Sequence, residues 1–207
     1  MTINPLNAFV GSPPIDGGVL YGADLDVANP TDASTALPSG YKDHGAVGPD
    51  GFTLRPSRTS TTEKRHGGQD WIDLQTESGM EIEIQLLEDD NDAVLETIFG
   101  TANVTKTDAT ESAGTKRTIY HTLEQLPLRK YVLNAQYGGK LKRYGALLAR
   151  VSNVAEIQNT HSASTKYTVT LRCLVPADAE LQNAYVVEFR DDNAPLANIG
   201  GGTEPED

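Results

Sequence analysis

The sequence predicts a mainly β fold, a β-sandwich or a sheet curled towards a barrel, with one short α-helix and extended N- and C-terminal arms. Three observations carry this. Residues 79–88, Gly-Met-Glu-Ile-Glu-Ile-Gln-Leu-Leu-Glu, alternate strictly: Met80, Ile82, Ile84 and Leu86 point one way, and Glu81, Glu83 and Gln85 the other. That is the period of a half-buried strand. Residues 129–137 and 165–175 alternate likewise, through Tyr131, Leu133, Ala135 and Tyr137, and through Tyr167, Val169, Leu171, Cys173 and Val175. The one convincing helical pattern is Val94, Leu95, Ile98 and Phe99, which share a face at helical spacing. Asp-Asp-Asn-Asp at 89–92 supplies acceptors for the free N–H groups of its first turn, and Gly100 a left-handed stop.

Taken in order, residues 1–17 are rich in Asn, Pro and Gly and predict an extended arm. A short strand follows at 18–22. Residues 23–40 are turn-rich and read as a long ordered loop or a second arm. Gly-Pro-Asp-Gly at 48–51, between Ala46-Val47 and Phe52-Thr53-Leu54, predicts a hairpin turn. Residues 55–70 lack apolar side chains and are locally basic, through Arg55, Arg58, Lys64 and Arg65 against Glu63. They predict a long functional or disordered loop. A strand at 71–76 precedes the organising strand. After the helix come a polar segment at 101–114 and a strand at 116–122. The strand at 129–137 turns at Gly138-Gly139 into 140–157, a strand pair or one bent strand. Strands at 165–175 and 184–190 complete about eight, and no tandem repeat is expected. Residues 191–207 are acidic and Gly-rich and predict a flexible tail. The main domain thus spans 18–190.

At 207 residues the chain has the length of one domain with a real core. Its mean hydropathy is −0.40, and no apolar run approaches the roughly 20 residues that span a bilayer, so no membrane partner is expected. The first residues lack the basic and apolar regions of a secretory signal. The net charge of −12 argues against specific nucleic-acid binding, which needs a cationic footprint. It suits a soluble protein, or a surface past which a polyanion slides without sticking.

Catalytic and ligand-binding patterns are weak. His44, His66, His121 and His161 share no metal-ligand spacing and read as polar surface residues. Cys173 reads as a small core residue. Residues 89–92 lack the central glycine of a calcium loop, so capping is the better reading. No serine sits in a nucleophile elbow, and neither Gly17-Gly18 nor Gly200-Gly201-Gly202 precedes a helix as a phosphate loop does. Glu81 and Glu83, on alternate strand positions, read as a solvated face. The expectation is a protein that is not an enzyme and takes no cofactor or metal.

Several segments form a pattern together: Tyr21-Gly-Ala-Asp24 after an N-terminal arm, Ala36-Leu-Pro-Ser-Gly40, Gly45-Ala-Val-Gly-Pro-Asp-Gly51, Phe52-Thr-Leu-Arg-Pro-Ser57, then Trp71 and Asn91-Asp-Ala-Val-Leu-Glu-Thr-Ile-Phe-Gly100. Over roughly residues 17–190 the chain resembles the major tail protein, or tail tube protein, of bacteriophages with long flexible tails, in the style found in phages of actinobacteria. The resemblance implies two packed β-sheets flanked by one helix, in subunits that form six-membered rings. One sheet of each subunit joins its neighbours to line a tube, and rings stack through a long loop and the terminal arms.

It further implies a structural virion protein, located in the tail and in the host cytoplasm during assembly. Its partners would be its own copies, the tape measure protein that the tube encloses, the tail terminator and tail tip proteins, and DNA only in transit. On this reading Arg55, Arg58, Lys64 and Arg65 make inter-ring contacts. Glu81 and Glu83, with Asp73 a weaker candidate, face the lumen, and Val94, Leu95, Ile98 and Phe99 pack in the core or between subunits. The competing reading is a β-sandwich binding module, for virion decoration or for carbohydrate or host-surface recognition. That module would need an exposed aromatic platform.

Overall fold

A computed structural model of the chain describes residues 7–14 and 18–193. Ten strands and one α-helix follow in order: β1 Leu20–Ala23, β2 Lys42–Asp43, β3 Val47–Lys64, β4 Asp70–Leu86, α1 Asp92–Phe99, β5 Val104–Thr107, β6 Lys116–Ile119, β7 Arg129–Tyr137, β8 Lys140–Val154, β9 Tyr167–Cys173 and β10 Val187–Asp191. The fold is mainly β with a single α-helix, as the alternating segments predict. Eight strands form an antiparallel sheet in the order β2-β1-β7-β8-β9-β4-β3, with β10 on β8, and β5 and β6 form a second sheet. α1 touches both β5 and β8, between the two sheets of a sandwich-like fold. The barrel alternative is not realised, because β2 and β3 end the order and do not pair with each other.

The long strand β8 is one bent strand. Its edge away from β7 is shared: β10 takes Leu141–Gly145 and β9 takes the stretch from Ala149 to Val154. A register shift between Val151 and Asn153 accompanies the change, since a bulge turns a strand and raises its twist. The sheet can therefore wrap one core. Ile82, Ile84 and Leu86 of β4 meet Val169 and Leu171 of β9, Leu133 of β7, Leu20 of β1, and Val94 and Ile98 of α1, all buried. Burying each such side chain stabilises by about 1.5–3 kcal/mol. Cys173 lies in the same cluster, as its place in the alternation predicts.

α1 starts where its cap is expected. The Asn91 side chain accepts from the Ala93 N–H, and Gly100 donates its N–H to the Glu96 carbonyl. Gly100 is not left-handed helical, however. Its φ of 89° and ψ of 141° lie in a region open essentially to glycine alone, and they turn the chain directly into extended backbone.

Three further sequence expectations, all on strands, need correction. Residues 48–51 do not close a hairpin. They bulge out of β3 between the pairs Val47↔Leu86 and Phe52↔Ile84 while β4 runs straight beside them, and Gly51 takes the positive φ of 64° that the bend requires. Residues 55–70 are not a loop: 55–64 continue β3, paired residue by residue to β4, and the turn occupies only 65–69. The threonines at 59, 61 and 62 favour this pleated backbone. Consequently the expected strand at 71–76 and the organising strand are one strand, continuous through Gly79.

A short unit recurs, though not in tandem. Thr-x-Ser-Ala-x-Thr-Lys-x-Thr stands at 110–118 and again at 160–168. Both copies fold as the same hairpin. The pairs Val104↔Ile119 and Thr110↔Ala113 in the first match Val154↔Val169 and Thr160↔Ala163 in the second. The 23–40 segment is an ordered loop, held to the sheet by Arg143, whose guanidinium donates to the Asp32 and Thr35 carbonyls at 2.8 Å each and to Asn134 Oδ1 at 2.9 Å. Of the expected N-terminal arm, Ser12 bridges to Gln136 at the end of β7. The flexible-tail expectation falls, from residue 194 on, outside the described residues.

Candidate functional site: the projecting hairpin and the acidic sheet face

Only the proximal half of the β3–β4 hairpin reaches the core. From Arg58 round the turn to Glu77 every residue is exposed, so this half stands away from the rest of the described chain. The turn closes through Arg65 N–H to the Gln69 carbonyl at 2.9 Å and Gly68 N–H to the Arg65 carbonyl at 3.0 Å. Gly67 and Gly68 adopt φ of 97° and 84° there. Cross-strand pairs in such a ladder contribute roughly 0.2–1 kcal/mol each. Ordering each residue costs about 1–2 kcal/mol. A two-stranded ribbon with both faces in water is therefore marginal by itself.

Its exposed apolar side chains carry no local sign of their exposure. Trp71 is 64% exposed, Ile72 41% and Leu74 47%. Trp71 sits where the register slips between Glu63↔Ile72 and Lys64↔Asp70. An apolar triplet inside a strand-like run looks like core until the hairpin's length is known.

The four basic candidates divide. Arg55 belongs to the body of the sheet, where its guanidinium holds Glu83 at 2.8 Å. Arg58 lies at the base of the projecting half, Lys64 at its tip, 3.9 Å from Asp70, and Arg65 opens the turn. The structure thus brings Arg55 to the acidic face and separates it from the other three.

Glu81 and Glu83 lie on the sheet face opposite the core residues Ile82 and Ile84, as the alternation predicts. Glu81 faces Arg172 of β9 at 3.4 Å. The two acids and two arginines make a balanced, solvent-facing ladder across β3, β4 and β9. Exposed pairs of this kind contribute little, about 0–1 kcal/mol each. Asp73 is on the projecting half.

Val94, Leu95 and Ile98 are buried, and Phe99 is half-buried with its ring 4.5 Å from His121 and 6.2 Å from Tyr167, centroid to centroid. Asp92 in the first turn of α1 binds Lys106 Nζ at 2.7 Å and Arg117 Nε at 2.8 Å, which docks the β5–β6 hairpin on the helix. Those hydrogen bonds hold the Asp92 carboxyl below its ordinary range.

The surface reading of His44 is overturned: it is 1% exposed. Nδ1 lies 3.1 Å from the Lys42 carbonyl, so it carries the proton, and Nε2 accepts from the Thr97 hydroxyl at 2.8 Å. Burial pushes its pKa down to about 4. Gly22 makes the room, since a Cβ there would lie 2.8 Å from the imidazole Cε1.

No group of three His, Cys, Asp or Glu side chains among the described residues is placed to hold a metal ion. An open cleft of about 900 Å³ lies between the N-terminal segment and the β3 bulge. Three acids line it: Asp43 accepts from the Gly45 N–H at 2.7 Å and Glu88 from the Ala46 N–H at 2.8 Å, and Asp50 lies exposed on the β3 bulge. Burial pushes the Cys173 thiol up to about 12, away from nucleophilic use. No described helix is long and apolar enough to cross a membrane. No family model and no curated protein matches the chain.

Proposed function

We propose that this chain is a structural virion protein. It polymerises as stacked six-membered rings into a phage tail tube that encloses the tape measure protein and conducts DNA. Tail terminator and tail tip proteins close its ends. The observation that carries the reading is the projecting half of the β3–β4 hairpin. Twenty exposed residues from Arg58 to Glu77, with Trp71, Ile72 and Leu74 uncovered, form a ribbon too weak to stand alone and shaped to reach a neighbour. Arg58, Lys64 and Arg65 put cations on the β3 strand and turn of that ribbon, beside Glu63 and opposite Asp70, Asp73 and Glu77 on its β4 strand, and the remaining surface of a chain with net charge −12 offers acids to meet those cations.

Among the described residues the sheet ends at β2 and β3 are open, which also favours association, because unpaired strand edges template neighbours and a closed ring removes them. The Glu81–Glu83 face supplies the luminal surface in this reading. Its carboxylates are offset by Arg55 and Arg172, which leaves a wall with little excess positive charge to retain phosphates.

Electron microscopy and light scattering of the purified protein test the proposal. Rings and tubes of uniform diameter are expected. Monomers at high concentration that bind glycans through the Trp71 region would replace it with the binding-module reading.

A further inference from the structure

The repeated hairpin supplies a template for an intermolecular contact. In the second copy, the outer edge of β9 is covered by β4 of the same chain, with Thr168 opposite Gln85 and Val169 opposite Ile84. In the first copy the corresponding edge is that of β6, with Thr118 and Ile119 at the matching positions. Among the described residues no strand covers it. One sequence unit thus occurs twice, once with its outer edge filled and once with it open.

The strand that fills the first edge also has a free continuation. β4 uses Met80–Leu86 to cover β9, but along the same edge from Asp70 to Glu77 it has no partner strand among the described residues. We infer that the open edge of β6 takes the distal part of β4 from a second copy of this chain. The contact repeats between molecules the β4-on-β9 pairing made within each one.

Charge and apolar surface both select this occupant. Residues 70–77, Asp-Trp-Ile-Asp-Leu-Gln-Thr-Glu, carry three acids and no base, whereas β6 begins Lys116-Arg117. Arg117 is held in place by Asp92 on the helix, and Lys116 is exposed beside it. Trp71, Ile72 and Leu74 on the donor match an exposed apolar surface just after β6, where Tyr120 is 58% exposed and Leu123 wholly so. The contact uses different surfaces on the two copies, so a subunit can give its β4 to one neighbour and take that of another, as a ring or tube requires. It rests on the self-assembly reading above and names the acceptor for the hairpin.

Disulfide trapping tests it, because two cysteines bridge only when their Cα atoms come within about 7 Å. Thr118→Cys protein is mixed with Asp73→Cys, Leu74→Cys or Gln75→Cys protein under assembly conditions and mildly oxidised. The native Cys173 is buried and stays out of the reaction. Linked dimers are expected from at least one mixture and from none of the variants alone. Tubes or rings without linked dimers in any mixture would overturn this contact and leave the assembly reading standing. Failure of the unmutated protein to assemble would overturn both. A charge exchange is the second arm: Lys116→Glu should raise the concentration needed for assembly several-fold, and Asp73→Lys in the same chain should restore it. An equal effect of Lys116→Glu with and without Asp73→Lys would count against the pairing.

Discussion

His44 shows what one side chain does when its neighbours exclude water. Its neutral ring satisfies two partners, Thr97 and the Lys42 carbonyl, and links β2 to α1. The folded pKa of about 4 is below the ordinary 6.5, so between these values the unfolded chain binds more protons than the folded one. Stability from this residue is therefore complete above about pH 6.5 and is lost as pH falls through about 4. The loss is on the order of 3 kcal/mol, from ~1.36 kcal/mol per pH unit of separation. Melting temperature measured from pH 7 to pH 4 should fall more steeply for the native protein than for His44→Gln, which has nothing to titrate there. At the same scale, Leu95→Ala should cost about 2–5 kcal/mol by urea unfolding. Phe99→Ala should cost less than the ~3–5 kcal/mol of a fully enclosed ring, because Phe99 keeps one side open.

Among the elements, the β3–β4 hairpin is where stability and the proposed assembly can be tested apart. Its proximal half is core, and its distal half touches little else in the described chain. Replacing 59–77 by Asn-Gly, between the paired Arg58 and Ser78, retains every buried position of both strands. The shortened protein should melt within a few degrees of the original and remain monomeric by light scattering. Normal tubes from it would remove the hairpin from the assembly mechanism. The helix behaves differently: Asp92 ties it to β5 and β6 through Lys106 and Arg117. Asp92→Asn should loosen that hairpin, seen as faster amide exchange at 104–107 and 116–119, with little change in the main sheet.

For the whole molecule, the tail-tube proposal requires the charge of −12 to lie on the outer wall, the lumen or the arms. Glu81 and Glu83 are solvent-facing in the subunit, so Glu81→Lys with Glu83→Lys should leave the fold intact at the modest cost of two exposed pairs. If that face lines the lumen, virions carrying both changes should release DNA slowly, and added salt should relieve the delay by screening phosphate contacts. Normal ejection from intact tubes would put the face on the outer wall.

By itself the sequence determined what local periodicity and capping control. The alternation at 80–86 specified which side of β4 is buried, the 94–99 pattern specified the buried face of α1, and Asn91 specified where the helix begins. Each of these depends on neighbours a few residues away. Tertiary structure decided the rest. Gly-Pro-Asp-Gly at 48–51 is a turn signal in isolation and became a bulge because β4 offers a continuous ladder on either side of it. Residues 55–64 have no apolar periodicity to mark them as a strand, and their pairing comes from β4, not from a core beneath them. His44 carries no local sign of burial; Gly22, Thr97 and Tyr131, distant in sequence, enclose it. The repeated hairpin was present in the letters, but its meaning lies in a difference of surroundings. One copy has β4 beside it and the other has an open edge, and only long-range strand order sets that difference.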